Sequence, residues 1–278
     1  AAVIAAACVL LFFGCFSWTK ERVKPINDKK TSLKTDIRDL LHNHPWWVLF
    51  VAGVGALVFN SIRDGAAVYY FKYYIVEENF ETVSLFGVSF VLSGLFLALG
   101  QMANIVGVVL AAPVSNRFGK KRTFAFSMLM TAVLSIMFYW FDKDDIVLIF
   151  VFQCIISMFA GSIFPLLWSM YADCADYSEL NTGNRATGLI FSASSMSQKF
   201  GWAIGTALTG WLLSYFGFEA NAVQSAETID GIKMFLSWLP AAASVVSVIF
   251  ILCYPLGEQK VAKIIEQLNI KRKQTNEQ

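Results

Sequence analysis

Apolar residues in this chain come in long blocks, not in alternation. After the opening block "AAVIAAACVLLFFGCF", six further mostly apolar runs occupy approximately 46 to 72, 84 to 112, 123 to 141, 146 to 171, 187 to 215 and 232 to 254. A helix needs about 20 residues to cross ~30 Å of hydrocarbon at 1.5 Å per residue. Each run therefore predicts a crossing, seven in all with the first incomplete. The ten-residue alternating segments of a membrane β-barrel are absent from the sequence. The opening block has neither a Met nor a charged leader region, so it reads as the end of a helix already under way, and the chain is expected to be the C-terminal part of a larger protein.

The polar segments between the runs predict the organisation. Residues 1–16 end one membrane helix, 17–45 form a polar loop, 46–256 form a six-helix bundle and 257–278 form a polar tail after a short amphipathic turn. Within the loop, "TSLKTDIRDLLH" puts Leu33, Ile37, Leu40 and Leu41 on one stripe, which predicts a short helix lying on the membrane surface.

Composition agrees with a membrane protein. Of 278 residues, 56% are hydrophobic and 15% charged, and the mean hydropathy is +0.56, far from the half-apolar, quarter-charged average of soluble domains. The fold class is thus all-α and polytopic. Cys8, Cys15, Cys154, Cys174 and Cys253 stand singly in or beside apolar runs, and His42 and His44 share one loop, which argues against a metal site, a disulfide framework or a bound cofactor.

Charge then orients the crossings. Seventeen of the 22 lysines and arginines fall in the 17–45 loop, "NRFGKKR", the 172–186 connection and the tail, whereas the opposite connections carry only Lys72, Lys143 and Lys233 among many acids. Because basic residues are retained on the cytoplasmic side, the central loop and the C-terminus are expected to be cytoplasmic. The two remaining cations, Arg63 and Lys199, fall inside spans.

Lys199 lies about 17 Å into its span, near the midplane, where a charge costs about 2.5 to 3.5 kcal/mol on insertion scales. Its helix carries Ser192, Ser195, Lys199, Trp202, Thr206 and Thr209 at spacings of three and four, hence on one face, with Ser194 and Gln198 beside it. Two readings fit the serines, a polar path or small-residue helix packing; the lysine favours the path. In the 46 to 72 run, Arg63 and Asp64 are adjacent and Asn60 shares a face with Asp64. Gln101 and Asn104, Gln153 and Ser157, and Trp168 bring amides, hydroxyls and an indole from other helices. Such a set suits a polyhydroxylated ligand, because amides and charges hydrogen-bond hydroxyls and an indole covers the C–H face of a sugar; amino acids and drugs fit less sharply.

A second cluster lies where the fifth and sixth runs meet. "YADCADYSELNTGNRATG" holds Asp173, Asp176, Glu179 and Arg185, and "NRFGKKR" holds Arg117, Lys120, Lys121 and Arg122. These charges read either as topology and helix capping or as an ion-paired cytoplasmic gate.

The stretches "SWTKERV", "IRDGAAVYYFKYY", "APVSNRFGKKR" and, above all, "MYADCADYSELNTGNRATGLIFSASSMSQKFGWAIGTALTGWLLSYFGF" resemble the glycoside-pentoside-hexuronide:cation symporters, the melibiose permease-like family of the major facilitator superfamily. The resemblance covers nearly the whole chain. It implies a secondary sugar transporter, not an enzyme, with twelve helices in two halves, of which this chain supplies the end of helix 6, the central loop and helices 7 to 12. It implies that Lys199 links the sugar and cation sites, that Ser194, Ser195 and Gln198 lie near the sugar, and that Asp173 and Asp176 belong to the gate. The coupling cation, H⁺ or Na⁺, is then expected to bind mainly in an N-terminal half outside this sequence. The partners are that half, the sugar and the lipid of a bacterial cytoplasmic membrane, with no nucleic acid. One departure stands out: Phe164 occupies the place of the family's helix-10 tryptophan, and Trp168 follows one turn later. Two rivals are a transport-inactive sugar sensor on the same fold and an intramembrane prenyl-transfer enzyme, which "DCAD" superficially suggests but which needs a second acidic motif and Mg²⁺.

Overall fold

A computed structural model describes residues 2–19, 33–75, 82–85, 88–183 and 187–276. Helix α1 (Ala2–Trp18) is apolar and exposed along its length, and α2 (Leu33–Leu41) rests on the bundle through Leu40 while Ile37 and Leu41 face outward. The bundle is built from α3 (His44–Tyr70), α4 (Leu92–Phe118), α5 (Lys120–Met137), α6 (Ile146–Thr182), α7 (Thr187–Tyr215) and the broken pair α8 (Ala226–Leu236) and α9 (Trp238–Leu252). Helix α10 (Glu258–Asn276) follows. Among the described residues, five stretches are long and apolar enough to cross a membrane: His44–Ile75, Leu92–Phe118, Lys120–Trp140, Ile146–Thr182 and Ala226–Leu252. Helix α7 has the length, 29 residues, but its serines, threonines, glutamine and lysine make it less apolar.

Helix α3 is the hub of the bundle. Asn43 caps it by accepting from the Trp46 N–H (3.1 Å) and ties it to α6 by donating to the Cys174 carbonyl (3.1 Å). A π-helical turn, Phe71–Ile75, extends it. Small residues set its approach to α7: a Cβ on Gly201 would meet the Leu57 Cβ at 2.5 Å, and one on Gly205 the Ser61 Cβ at 2.5 Å. With no hydrophobic drive between helices in lipid, such close backbone contact is what holds them together. Helices α4 and α6 cross more tightly still, with Gly107 against the Met158 carbonyl and Gly161 against that of Asn104.

Four features depart from the sequence expectations. The run expected to begin a helix at 84 opens instead with an antiparallel pair, β1 (Thr82–Leu85) and β2 (Val88–Val91), before α4 starts at Leu92. Helix α6 runs about three turns past 171, to Thr182. The last span is broken at Ser237 (φ −120°, ψ −92°), because Pro240 has no N–H to give the carbonyl four residues back, at Leu236. The tail is not merely polar after one turn: α10 docks on α6 through Val261, Ile264 and Leu268, a buried stripe at i, i+3 and i+7.

Candidate functional site

The two cations inside the spans meet opposite environments. Arg63, in the C-terminal half of α3, is 3% exposed. Its guanidinium donates to Ser135 Oγ on α5, to Gln153 Oε1 on α6 and to the Leu236 carbonyl that ends α8. It also lies 5.0 Å from the Phe138 ring centroid and 5.8 Å from that of Phe59. The Leu236 carbonyl is available because Pro240 cannot bond it, so a proline on one helix creates the acceptor for an arginine on another. All of this makes Arg63 a clasp among four helices, with its guanidinium engaged by protein acceptors in this conformation.

Lys199 stands in the middle of α7 and is exposed, and its ammonium makes no hydrogen bond or ion pair among the described residues. Three faces explain this. Ile190, Ser194, Ser197, Gly201, Gly205 and Thr209 are buried against the bundle. Met196, Phe200, Ile204 and Trp211 form an exposed apolar face. Between them Ser192, Lys199, Trp202 and Thr206 are exposed and Ser195 half-buried, a polar strip open to the outside of this bundle. The strip holds the residues expected to share a face except Thr209, which turns inward and donates to the Gly205 carbonyl.

Neighbours of the lysine divide in the same way. Gln198 is half-buried and makes no hydrogen bond among the described residues; Ser195 Oγ donates to the Ser192 carbonyl (2.6 Å). Ser194 is fully buried, donating to the Ile190 carbonyl (2.7 Å) and accepting from the Trp46 indole N–H (2.9 Å). It packs α3 on α7, so the expected contact of Ser194 with ligand is not available in this conformation. Trp168 is half-buried and stacked on Phe191 at 5.8 Å and 11°, which leaves at most one face of its indole for a sugar.

A second polar group forms between α3, α4 and α6, where Asn60, Asp64, Gln101, Asn104, Gln153 and Ser157 line one cleft with Arg63 at its floor. Six residues named from sequence thus converge beside the clasp. The Asp64 carboxylate and the amides of Gln101 and Asn104 have no hydrogen-bond partner among the described residues, while Asn60 donates to the Ala56 carbonyl (3.0 Å). The cleft holds about 20 Å³, room for about one water and far below the roughly 300 Å³ or more of a ligand pocket. It is a polar wall able to bond one edge of a hydroxylated ligand, not an enclosure for a whole one.

At the other end of the bundle, Lys120 Nζ on α5 bonds both carboxylate oxygens of Asp173 on α6, at 2.9 and 2.8 Å. One residue of "NRFGKKR" thus pairs with one of the two aspartates. Lys121 behaves differently: its Nζ bonds the Leu252 and Tyr254 carbonyls at 2.9 and 2.7 Å, closing the C-terminus of α9. Glu179, its side chain fully buried, pairs with Arg272 of α10 (2.8 Å), and Glu258 accepts the Lys120 backbone N–H (2.6 Å). Asp176 is half-buried with a partner, Arg117 and Arg122 are exposed, and Arg185 lies outside the described residues. The tail residues Arg272 and Glu258 were missed from sequence, although the Val261, Ile264 and Leu268 spacing signals a docked helix.

The sequence matches the family described as MFS/sugar transport protein over residues 1–258. It is similar to the isoprimeverose transporter of Lactiplantibacillus pentosus, 32% identical over 278 residues, covering 99% of this chain and 55% of that protein. It is also similar to the glucuronide carrier protein homolog of Escherichia coli K12, 28% identical over 275 residues, 98% of this chain and 57% of the relative. An inner membrane symporter of the same organism is 28% identical over 270 residues, 96% of this chain and 56% of the relative. The chain spans about half the length of these curated relatives.

Proposed function

The chain belongs to the MFS/sugar transport protein family, and on that premise we propose that it is the C-terminal part of a cation-coupled symporter for glycosides or related sugars, working by alternating access. The observation that carries this reading is Lys199: an exposed ammonium, without a partner among the described residues, in the middle of a long helix, on a polar strip bordered by an apolar face. Such a group is sustained where the strip lines a water-filled cavity. The names of the relatives, an isoprimeverose transporter, a glucuronide carrier homolog and a symporter, support a sugar as the cargo.

In this reading a second bundle faces the strip and supplies acidic partners for Lys199 and most of the coupling-ion site, for H⁺ or Na⁺. Lys199, Gln198, Ser195 and Trp202 contact the sugar from α7, and Asp64, Asn60, Gln101 and Asn104 bond its hydroxyls from α3 and α4. The Lys120–Asp173 and Glu179–Arg272 pairs brace the cytoplasmic end, and Asp176 and Arg185 take part in the gate. The central loop and the tail are cytoplasmic, and no covalent chemistry takes place.

Uptake into proteoliposomes holding the complete protein tests it, with a panel of pentosides, glycosides and hexuronides under imposed H⁺ and Na⁺ gradients. Gradient-driven uptake of at least one sugar is expected, and Lys199→Ala should lower it about tenfold or more, a loss of about 1.4 kcal/mol or more of the interaction. Wild-type uptake by a normally inserted Lys199→Ala protein would sink the role given to the lysine. Sugar binding without flux in the wild type would convert the protein into a sensor.

A further inference from the structure

Where the α4–α5 turn meets the α9–α10 turn, the bundle has a groove of about 1020 Å³, three of whose basic residues have no part in the transport proposed above. Its walls carry Arg117, Arg122 and Lys260, together with Lys120, Lys121 and Glu258. The last three are engaged: Lys120 with Asp173, Lys121 with two carbonyls at the end of α9, and Glu258 with the Lys120 N–H. The first three are exposed and have no carboxylate partner among the described residues; Arg117 lies only over the ring of Phe118, at 5.5 Å. Cations lining one groove repel one another unless an anion sits between them.

The surroundings say what kind of anion. The groove opens at the ends of α5 and α9, which are packed side by side. From it two exposed apolar stripes run along the helices: Phe126, Leu129 and Val133 on α5, and Leu252, Ile249 and Val245 on α9. Spacings of three and four keep each stripe on one face. A basic groove at the polar end of two apolar helix faces matches a molecule with an anionic head and two hydrocarbon chains.

We propose that this groove is a binding site for an anionic phospholipid, with the phosphate held by Arg117, Arg122 and Lys260 and the acyl chains lying along the two stripes. Each basic residue near an anionic headgroup contributes about 1 kcal/mol, roughly fivefold in affinity, so the three together amount to about 100-fold at low salt. A free phosphate would satisfy the cations and leave the stripes unused. An acidic peptide would do the same.

Native mass spectrometry of the complete protein in neutral detergent, with added phosphatidylglycerol or phosphatidylcholine, tests the assignment. Phosphatidylglycerol is expected to be retained preferentially, to be lost as salt rises, and to be lost from the Arg117→Gln, Arg122→Gln, Lys260→Gln triple variant. The charge-keeping variant Arg117→Lys, Arg122→Lys, Lys260→Arg should retain it. Equal retention of the two lipids by the wild type, a comparison that needs no variant, overturns the proposal. So does full retention of phosphatidylglycerol by the glutamine variant. Inorganic phosphate should displace little of the lipid; complete displacement would make the groove a site for a free ion and would also overturn it.

Discussion

Arg63 and Lys199 carry the same charge inside two neighbouring helices, yet the bundle treats them in opposite ways. Arg63 is enclosed, with three acceptors from α5, α6 and α8 and two aromatic rings around it. Lys199 is exposed and has no partner among the described residues. A cation in a membrane helix is costly in either place, and the cost is met inside the bundle for one and outside it for the other. Burial with full bonding marks a residue that holds structure. Exposure without bonding is what the ligand-facing role proposed for Lys199 requires.

The sharpest attempt to break this contrast is Arg63→Ala. It removes three hydrogen bonds and strands the Leu236 carbonyl and the Gln153 amide oxygen, so the complete protein should lose about 3 kcal/mol or more of stability, read as thermal or denaturant unfolding in detergent. An unchanged midpoint would mean that the clasp is not structural. Gly201→Leu comes next. It forces a side chain into Leu57 and should cost about 1 to 3 kcal/mol by overpacking, moving α7 and with it the strip that carries Lys199. Ser194→Ala should cost about 1 kcal/mol, because the Trp46 indole N–H loses its acceptor, with a smaller effect on sugar affinity than Gln198→Ala; the reverse order would return Ser194 to the ligand. Least of all, Lys199→Gln should shift stability by no more than about 0.5 kcal/mol. A cysteine at 199 should react with a water-soluble maleimide while one at 63 does not, and equal labelling would erase the distinction.

Both cations stood out in the sequence for one reason, charge within an apolar run, and the sequence held little to separate them. What separates them is the set of neighbours: the acceptors of Arg63 lie at 135, 153 and 236, far away along the chain. One local sign existed, since Pro240 four residues after Leu236 announces a free carbonyl, but not which group would fill it. The strip on α7 was legible because helical period alone fixes Ser192, Ser195, Lys199, Trp202 and Thr206 on one side. That this side faces away from its own bundle is expected only from the resemblance to a two-half transporter, because helical period does not say which face the glycines at 201 and 205 choose. Hydrophobicity located the spans and blurred their ends. Helix α6 continues past the apolar run through "YADCADYSELNT" and stops only at Gly183 (φ 71°), a left-handed position suited to glycine. Val88 and Val91 of the second strand were read as the beginning of a helix because they are apolar as well as β-branched.

The crossing of α4 and α6 has a mechanical consequence. With Gly107 against the Met158 backbone and Gly161 against that of Asn104, the two helices touch chain to chain, and neither can slide along the other without steric overlap. In the transport proposed above they would move as a single lever whose fulcrum is that glycine contact. Asn104 is part of the fulcrum itself, and Gln101 and Ser157 lie within about a turn of it along their helices, so these side chains keep their mutual spacing however the lever tilts. A hydroxylated ligand held by them would therefore meet one fixed grip at every stage of the stroke, while the rest of its surroundings changes.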